Sequence, residues 1–496
     1  MKHINLPPTP SSLVESMRDI GYSIETAIAD IIDNSITAEA KYIDVRFSWN
    51  KNNPWLAVID NGLGMDQEEL IAAMRFGSMS PLEVRTAEDM GRFGLGLKTA
   101  SFSQCRCLTV MSKKNNITNC VQWDLDLISA SENNEWALSL LSEDEIVSDS
   151  ELPFLAKEYL ASKISGTIVL WKNIDRINEG TPVKNHESMF NQTINNVRFH
   201  LELVFHRFLS PDPGQSKIEI LFNKSQLNSF DPFNTSKAAE LHEEEFRFKG
   251  ECIHVQPYVL PHHNKVSKTE WKEYEGKAGY LHGQGFYVYR NRRLIVYATW
   301  FRLIPKNELT KLLRVRIDIP NSLDSLWRID VKKSNAFPPS GVRDELKRII
   351  KKIEFAGKRV YKQRGQRVSS EIKTPAWERI AKDNQLYYKI NNDHPLIEQH
   401  IDSLTEPQRE LFLNIISTLE SAFPRDTFYN DIATNPEQEI VNNLGREQIE
   451  GILKMFLGGS EKEVSKSKLQ EILLIDPFAS NRRLTEKIFK ERGYDF

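Results

Sequence analysis

Three short clusters near the start of the chain constrain its fold and chemistry more than any other feature. They are residues 29–35 (ADIIDNS), residues 58–65 (VIDNGLGM) and residues 91–99 (GRFGLGLKT). Each pattern is common by itself. The interpretation therefore depends on their order and spacing.

The first cluster lies in a segment, residues 24–38, whose apolar residues recur with helical spacing. One face of this helix carries Ile24, Ala27, Ile28, Ile31, Ile32 and Ser35. Asp30 and Asn34 are four residues apart, so they lie one turn apart at the margin of that face. A carboxylate there can orient a water molecule, and an amide oxygen can bind Mg²⁺. The same pair also suits the polar edge of an ordinary amphipathic helix.

The second cluster predicts a buried strand over residues 55–59 that ends at Asp60. Gly62 and Gly64 would let the backbone approach a flat ligand closely. A buried carboxylate at a strand end can accept a hydrogen bond from an exocyclic amine such as N6 of adenine. Asn61 followed by glycine is also typical of a hairpin turn, which is the alternative interpretation.

The third cluster is rich in glycine and ends in Lys98. Successive backbone N–H groups before a helix form an anion site, and we expect that helix to begin near Leu97. Lys98 does not directly follow the last glycine, which excludes a Walker A loop. The G-x-x-G-x-G order also differs from the Rossmann fingerprint.

Together the clusters resemble the GHKL ATPase superfamily, which includes gyrase B, Hsp90, histidine kinases and MutL. A fourth segment, residues 165–171 (SGTIVLW), resembles the late strand of that superfamily, in which Thr167 would support the adenine-binding Asp60. The sequences of residues 76–78 and 94–98 are most similar to those of the MORC branch. The resemblance covers roughly residues 10–175.

This resemblance implies an α+β fold. A Bergerat (GHKL) two-layer α/β sandwich would be followed by an S5-like transducer domain and an all-helical C-terminal region. It also implies ATP and Mg²⁺ as cofactors, with Asn34 as the metal ligand and Asp30, Lys332 and Lys333 as catalytic residues. The nucleotide-binding residues would be Asn34, Asp60, Gly62, Gly64, Met65, Gly91, Arg92, Phe93, Gly94, Leu95, Gly96, Leu97, Lys98 and Thr167.

Asp30 departs from the superfamily, whose members usually carry Glu at this position as the general base for the attacking water. The aspartate side chain is one methylene shorter, and a base must lie within hydrogen-bond reach of the proton that it removes. We therefore expect slow ATP hydrolysis. Residues 76–90, which precede the glycine-rich cluster, suit a mobile lid over the nucleotide.

The transducer prediction depends on residues 285–295 (GFYVYRNRRLI), which resemble the start of the S5-like domain of gyrase B, MutL and MORC proteins. In those relatives a lysine of this domain reaches the γ-phosphate. Lys333, with Lys332 beside it, has the matching place in the chain, and a lysine ammonium is a strong point charge on a flexible stem. Two solvated surface lysines are the alternative.

The predicted domains are residues 1–210 (ATP-binding), 211–345 (transducer) and 346–496 (helical region). Residues 343–373 carry eleven Lys and Arg against four Asp and Glu, a local charge of +7 that suits nucleic-acid binding or simply a solvated helix. The helical region shows no catalytic motif. We therefore expect it to dock a partner protein.

Composition adds few constraints. The chain has 496 residues, a charged fraction of 27% and a net charge of −3, values that are ordinary for a cytoplasmic globular protein. No apolar run is long enough for a membrane span. The four cysteines lack the spacing of a zinc site and are expected to be reduced.

The resemblance predicts a MORC-like ATPase. Mg-ATP binding would close the lid and favour a homodimer, hydrolysis would reset it, and the setting would be a DNA-related or anti-phage defence system. A nucleotide-gated interaction module that binds ATP with little or no hydrolysis is one alternative. A chaperone similar to Hsp90 is another.

Overall fold

The structure is a computed structural model that describes most of the chain. The described residues are 9–19, 21–77, 96–130, 135–178, 182–276, 279–308, 310–324, 326–328, 336–365, 374–382, 385–422, 424, 444–457 and 464–494. Only the backbone is described at residues 264, 354–365, 379–382 and 385–387. Contacts divide the chain into two compact units, Met1–Glu354 and Phe355–Phe496.

Among the described residues, the first unit contains two β-sheets, of which the first has eight strands. These are β1 (Tyr42–Ser48), β2 (Trp55–Asp60), β3 (Cys105–Lys114), β4 (Ile117–Asp124), β5 (Ser139–Leu140), β6 (Gly166–Ile174), β7 (Glu219–Phe222) and β8 (Ser225–Gln226). Their order is β5-β4-β3-β6-β2-β1-β7-β8. Neighbours are antiparallel except β1 and β7, which are parallel. The first sheet thus extends to β8, beyond the predicted domain boundary at residue 210.

Nine helices accompany this sheet among the described residues. They are α1 (Pro10–Arg18), α2 (Ile24–Thr37), α3 (Gln67–Met74), α4 (Gly96–Phe102), α5 (Leu125–Ala130), α6 (Glu143–Ser148), α7 (Leu152–Leu155), α8 (His186–Val204) and α9 (His206–Leu209). The apolar stripe of α2 is buried in one continuous core with that of α8 and with the facing side chains of β1, β2 and β3. Burial of this stripe fixes α2 against the sheet.

A short helical segment covers part of the opposite face of the first sheet, which the sequence did not predict. It comprises α6, α7 and a π-helix, Ala156–Leu160. Leu152 and Leu155 are fully buried there and belong to one apolar cluster with Ile59 and Leu170 of the sheet. The segment therefore closes a second, smaller core.

In the part of the chain that the structure describes, the second sheet has six strands. These are β9 (Ala239–Glu240), β10 (Glu244–Phe248), β11 (Glu251–Val259), β12 (Gly285–Arg290), β13 (Arg293–Thr299) and β14 (Leu313–Ile319). The order is β10-β11-β14-β12-β13, with β9 beside β11. Helices α10 (Lys268–Glu275) and α11 (Gly279–Gly283) precede β12. Parallel pairing of β12 with β14 makes this a mixed sheet.

Helix α12 (Ser340–Gly365) follows the second sheet and contains part of the predicted basic stretch. Its apolar residues Val342, Leu346, Ile349 and Ile350 are buried. On its polar side Arg348 and Lys352 both contact Glu244 of β10, at 3.3 and 2.6 Å. Part of the local positive charge is therefore balanced within the protein.

The second unit is not entirely helical, which corrects the prediction for this region. Strands β15 (Trp377–Lys382) and β16 (Gln385–Ile390) form an antiparallel hairpin. Aromatic residues such as Trp377 and Tyr388 favour strand structure and outweighed the helical context. The helices among the described residues after this hairpin are α13 (Pro395–Ser403), α14 (Glu406–Ser421), α15 (Arg446–Leu457), α16 (Lys466–Ile472) and α17 (Arg482–Glu491).

The last three helices share an apolar core of their own. Its fully buried side chains include Ile449, Leu453, Leu469, Phe478 and Ile488. The mixture of sheets and helices in the two units confirms the predicted α+β class. No described helix is both long enough and apolar enough to span a membrane.

Candidate functional site

Helix α2 presents the first cluster in a fixed orientation. The side-chain hydroxyl of its N-cap residue Ser23 accepts a hydrogen bond from the Thr26 backbone N–H at 3.4 Å. Asp30 is only 4% exposed, and its Oδ2 accepts a hydrogen bond from the Tyr22 hydroxyl at 3.0 Å. Asn34, one turn later, is exposed to solvent. The protein therefore sets the direction of the Asp30 carboxylate while the Asn34 amide remains open to a ligand.

Asp60 lies at the end of β2 and is 7% exposed. The Gly62 backbone N–H donates to its Oδ1 at 2.9 Å, and the Ser35 hydroxyl donates to its Oδ2 at 2.8 Å. The Thr167 backbone N–H donates to the same carboxylate. Burial raises the pKa of Asp60, and these three hydrogen bonds act against that rise.

The donors around Asp60 leave room for one more. An ionised carboxylate accepts about four hydrogen bonds, and three positions are used by Gly62, Ser35 and Thr167. One acceptor position therefore remains for an outside donor. An exocyclic amine of the kind found on adenine fits this requirement.

Ser112 of β3 fixes the segments beside Asp60. Its hydroxyl oxygen accepts a hydrogen bond from the Met65 backbone N–H at 2.8 Å and lies 2.9 Å from the Thr167 hydroxyl. Thr167 and Asp60 are direct cross-strand partners in the pairing of β6 with β2. Met65, Thr167 and Asp60, all predicted from the sequence, are thus brought together by the first sheet.

Gly62 and Gly64 have a reason for being glycine that differs from the predicted approach of a ligand. A Cβ on Gly62 would lie 2.6 Å from the Ala38 carbonyl oxygen. Gly64 has a φ of +69°, and its Cβ would lie 1.9 Å from the Lys113 carbonyl oxygen. Close packing against the protein's own backbone excludes side chains at both positions.

Lys98 is buried in α4, whose described residues are Gly96–Phe102. The side chain is 2% exposed, and its Nζ donates to the Ala73 carbonyl oxygen at 2.8 Å. Burial lowers the pKa of Lys98 to about 8. A buried ammonium of this kind would be stabilised by a nearby phosphate.

We expect Lys98→Met to stabilise the nucleotide-free protein at pH 7 while weakening ATP binding. The pKa falls from 10.5 to about 8, which corresponds to roughly 3 kcal/mol against folding with the ammonium charged. This cost is fully present below pH 8 and disappears as the pH rises to 10.5. In urea unfolding, the free energy of unfolding of the parent should therefore rise relative to that of the variant above pH 8. A variant that is less stable than the parent at pH 7 would contradict this account.

Part of the predicted site lies outside the described residues. These positions are Gly91, Arg92, Phe93, Gly94, Leu95, Lys332 and Lys333, together with most of the predicted lid. Their assignment to the phosphates therefore stays a prediction.

Three residues that support the site were not predicted as site residues. Ser35 was recognised only as a member of the apolar face of α2, and a hydroxyl on such a face was the available signal. Ser112 likewise interrupts the apolar side of β3, beside Val110. Tyr22 gave no signal, because its contact with Asp30 depends on the bend of the chain before α2.

Asn34 suits Mg²⁺ as a single protein ligand, because this ion usually keeps several waters and binds substrate phosphates. The described residues contain one group of three potential metal-binding side chains, Glu245, Cys252 and His254, with ligand atoms within 4.8 Å of one another. That group lies on the hairpin of β10 and β11 in the second sheet. It has no part in the candidate site on α2.

Comparison with known proteins agrees with these observations. Residues 22–154 match the family described as histidine kinase-, DNA gyrase B-, and HSP90-like ATPase. The matched segment contains α2, β2, α4 and β3, and it confirms the resemblance to the GHKL superfamily for this part of the chain.

Two curated relatives match shorter segments. The chain is 35% identical over 92 residues to ATPase morc-1 of Caenorhabditis elegans, a match that covers 18% of this chain and 10% of the relative. It is 33% identical over 100 residues to ATPase MORC2B of Mus musculus, covering 19% of this chain and 10% of the relative. The chain thus spans about a tenth of the length of each relative.

Proposed function

We propose that this chain is a MORC-like ATPase that binds Mg-ATP between α2, the end of β2 and α4. The observation that carries the proposal is the Asp60 carboxylate, which is buried, held by three donors and left with one acceptor position. The match of residues 22–154 to an ATPase family supports the same site. Adenine recognition by Asp60 is therefore the first element of the proposal.

We assign the remaining roles from the place of each residue in the sequence motifs. Thr167, Gly62, Gly64 and Met65 shape the adenine pocket around Asp60. Asn34 supplies the protein ligand to Mg²⁺, which would polarise the phosphates. Residues 91–97 and Lys98 bind the phosphates, and Lys333, with Lys332, senses the terminal one.

Asp30 is proposed as the general base. Its carboxylate accepts a proton from the attacking water, and the Tyr22 hydroxyl holds it in place at 3.0 Å. Because the aspartate side chain is short and buried, we expect slow hydrolysis. The ATP-bound state of the protein would then be long-lived.

Nucleotide binding is proposed to close a lid and to favour a homodimer, because a ligand shifts a population toward the state that it binds more tightly. The two MORC relatives are named as ATPases. We also propose that the protein acts in the cytoplasm, in a DNA-related or anti-phage defence system. A partner protein at the C-terminal helices and nucleic acid at the basic stretch are further parts of this proposal.

A nucleotide-gated module that scarcely hydrolyses ATP is the second candidate. The burial of Asp30 and its hydrogen bond to Tyr22 favour it, because a base so enclosed has restricted access to water. A chaperone similar to Hsp90 is a third candidate within the matched family. Phosphate release separates the first two candidates.

We expect Asp60→Asn to weaken ATP binding and to reduce the preference for ATP over GTP. The amide places N–H donors where the Gly62, Ser35 and Thr167 donors already point, and one charge-assisted hydrogen bond is lost, worth roughly 1.5–3 kcal/mol. Calorimetric titration with each nucleotide measures both effects. Asp126→Asn, a change at an exposed carboxylate, is the control. If the parent and the variant bound ATP and GTP equally well, Asp60 would not be the residue that recognises adenine.

A further inference from the structure

We propose that Arg293 is a positioning residue for the ATP site and that it acts by holding α2 through Asp33. The inference rests on the proposed function. It extends that function by identifying a buried ionic link between the second sheet and the helix that carries Asp30 and Asn34.

The link is a buried ion pair between residues that are 260 positions apart. The Nε of Arg293 donates to the Oδ1 of Asp33 at 3.0 Å. Asp33 is 1% exposed and Arg293 is 5% exposed. The guanidinium carbon of Arg293 lies 4.6 Å from the ring centroid of Phe205, and its NH1 donates to the Leu294 carbonyl oxygen. Arg293 is therefore held at the first position of β13.

His200 of α8 is a titratable neighbour of both members of the pair. Burial, together with the positive charge of Arg293, lowers its pKa to about 3. It is therefore neutral at physiological pH and does not compete with Arg293 for Asp33. A buried pair of this kind is strongly disturbed when one partner is removed, because the other charge is left uncompensated.

Asp33 occupies a position from which it controls the rotation of α2. It precedes Asn34 directly, so the two side chains leave the helix about 100° apart, whereas Asp30, three residues earlier, lies on the same side of the helix as Asp33. If α2 rotated by about 20°, a side-chain tip roughly 6 Å from the helix axis would move by about 2 Å. Displacements of about 1 Å at reacting groups can lower rates by about 100-fold.

The second sheet thus holds the site helix in register. Arg293 belongs to β13, which pairs with β12, and β12 pairs with β14. A change in the position of this sheet would be transmitted to Asp30 and Asn34 through Asp33. No other ion pair between α2 and the second sheet is found in the described part of the chain.

The test uses the full chain with the variants Arg293→Met, Asp33→Asn and the double variant. We expect each single variant to lose at least about tenfold in kcat for ATP. The double variant removes both charges of the pair and should recover thermal stability, yet its kcat should stay low because the link is absent. A purely structural role predicts instead that kcat recovers together with stability, and this result would overturn the proposal.

Arg314→Met is the matched control. Arg314 is also buried in the second sheet, donates to the carbonyl oxygens of Pro232 and Tyr274, and lies 5.8 Å from the ring centroid of Tyr287, without contact to α2. It should lose stability but keep kcat. Arg293→Lys, which retains the charge, should restore part of kcat and keeps the test valid if the methionine variant does not fold.

A second measurement separates this inference from the proposed function. Hydrogen exchange of the α2 amides needs no nucleotide, and we expect faster exchange in Arg293→Met than in Arg314→Met. If the parent does not hydrolyse ATP, the proposed function fails and the exchange result alone decides the link. Equal α2 exchange in the two variants would overturn the proposed role of Arg293.

Discussion

Asn34→Ala is expected to abolish Mg²⁺-dependent ATP binding, lowering the affinity by about 100-fold or more, or roughly 3 kcal/mol. The change removes the proposed metal ligand, and the neighbouring side chains of Asp33 and Ser35 are buried and already engaged with Arg293 and Asp60. Calorimetry with ATP in Mg²⁺ and in EDTA measures the loss. The fold should be unaffected, because Asn34 is exposed and alanine favours a helix.

The control for this prediction is Asn195→Ala, a change at an exposed asparagine of α8. It should match Asn34→Ala in thermal stability and the parent in ATP affinity. An Asn34→Ala protein that binds ATP in Mg²⁺ as tightly as the parent would show that the metal ligand has been assigned to the wrong residue.

Asp30→Asn should lower ATP turnover by about 10²–10⁴-fold, the typical contribution of a general base. The amide oxygen can still accept the Tyr22 hydrogen bond that Asp30 accepts at 3.0 Å, so the local structure should persist. The amide cannot take a proton from water. ATP affinity should hardly change, and ATP should remain bound and uncleaved, which a phosphate-release assay with parallel binding measurements will show.

Asp30→Glu distinguishes two versions of this site. If the site is a shortened form of the usual one, the glutamate should retain or raise turnover. If the backbone has adjusted to Asp30, the longer side chain at a position only 4% exposed should clash, costing about 1–3 kcal/mol of stability and lowering turnover. Unchanged turnover in Asp30→Asn would show that another residue is the base.

Local pattern predicted the elements that carry the site. The apolar repeat predicted a helix over residues 24–38, and α2 runs from Ile24 to Thr37. The apolar run before Asp60 predicted the strand that the structure contains as β2. These elements were accessible because burial of one stripe or one strand leaves a periodic trace in the sequence.

Contacts between distant segments left no such trace. The pair of Asp33 and Arg293 joins helix α2 to strand β13 of the second sheet, and neither sequence neighbourhood indicates the other. The polar contact of Tyr22 with Asp30 depends on the chain path before α2. The hairpin of β15 and β16 was missed because its short strands were read within a long helical region.

Calorimetric titration of the full chain with ATP in Mg²⁺ tests the central claim most directly. The account predicts one ATP bound per chain, with much weaker binding of GTP because Asp60 has one acceptor position left for the adenine amine. Absence of ATP binding, or equal binding of GTP at the same stoichiometry, would contradict it.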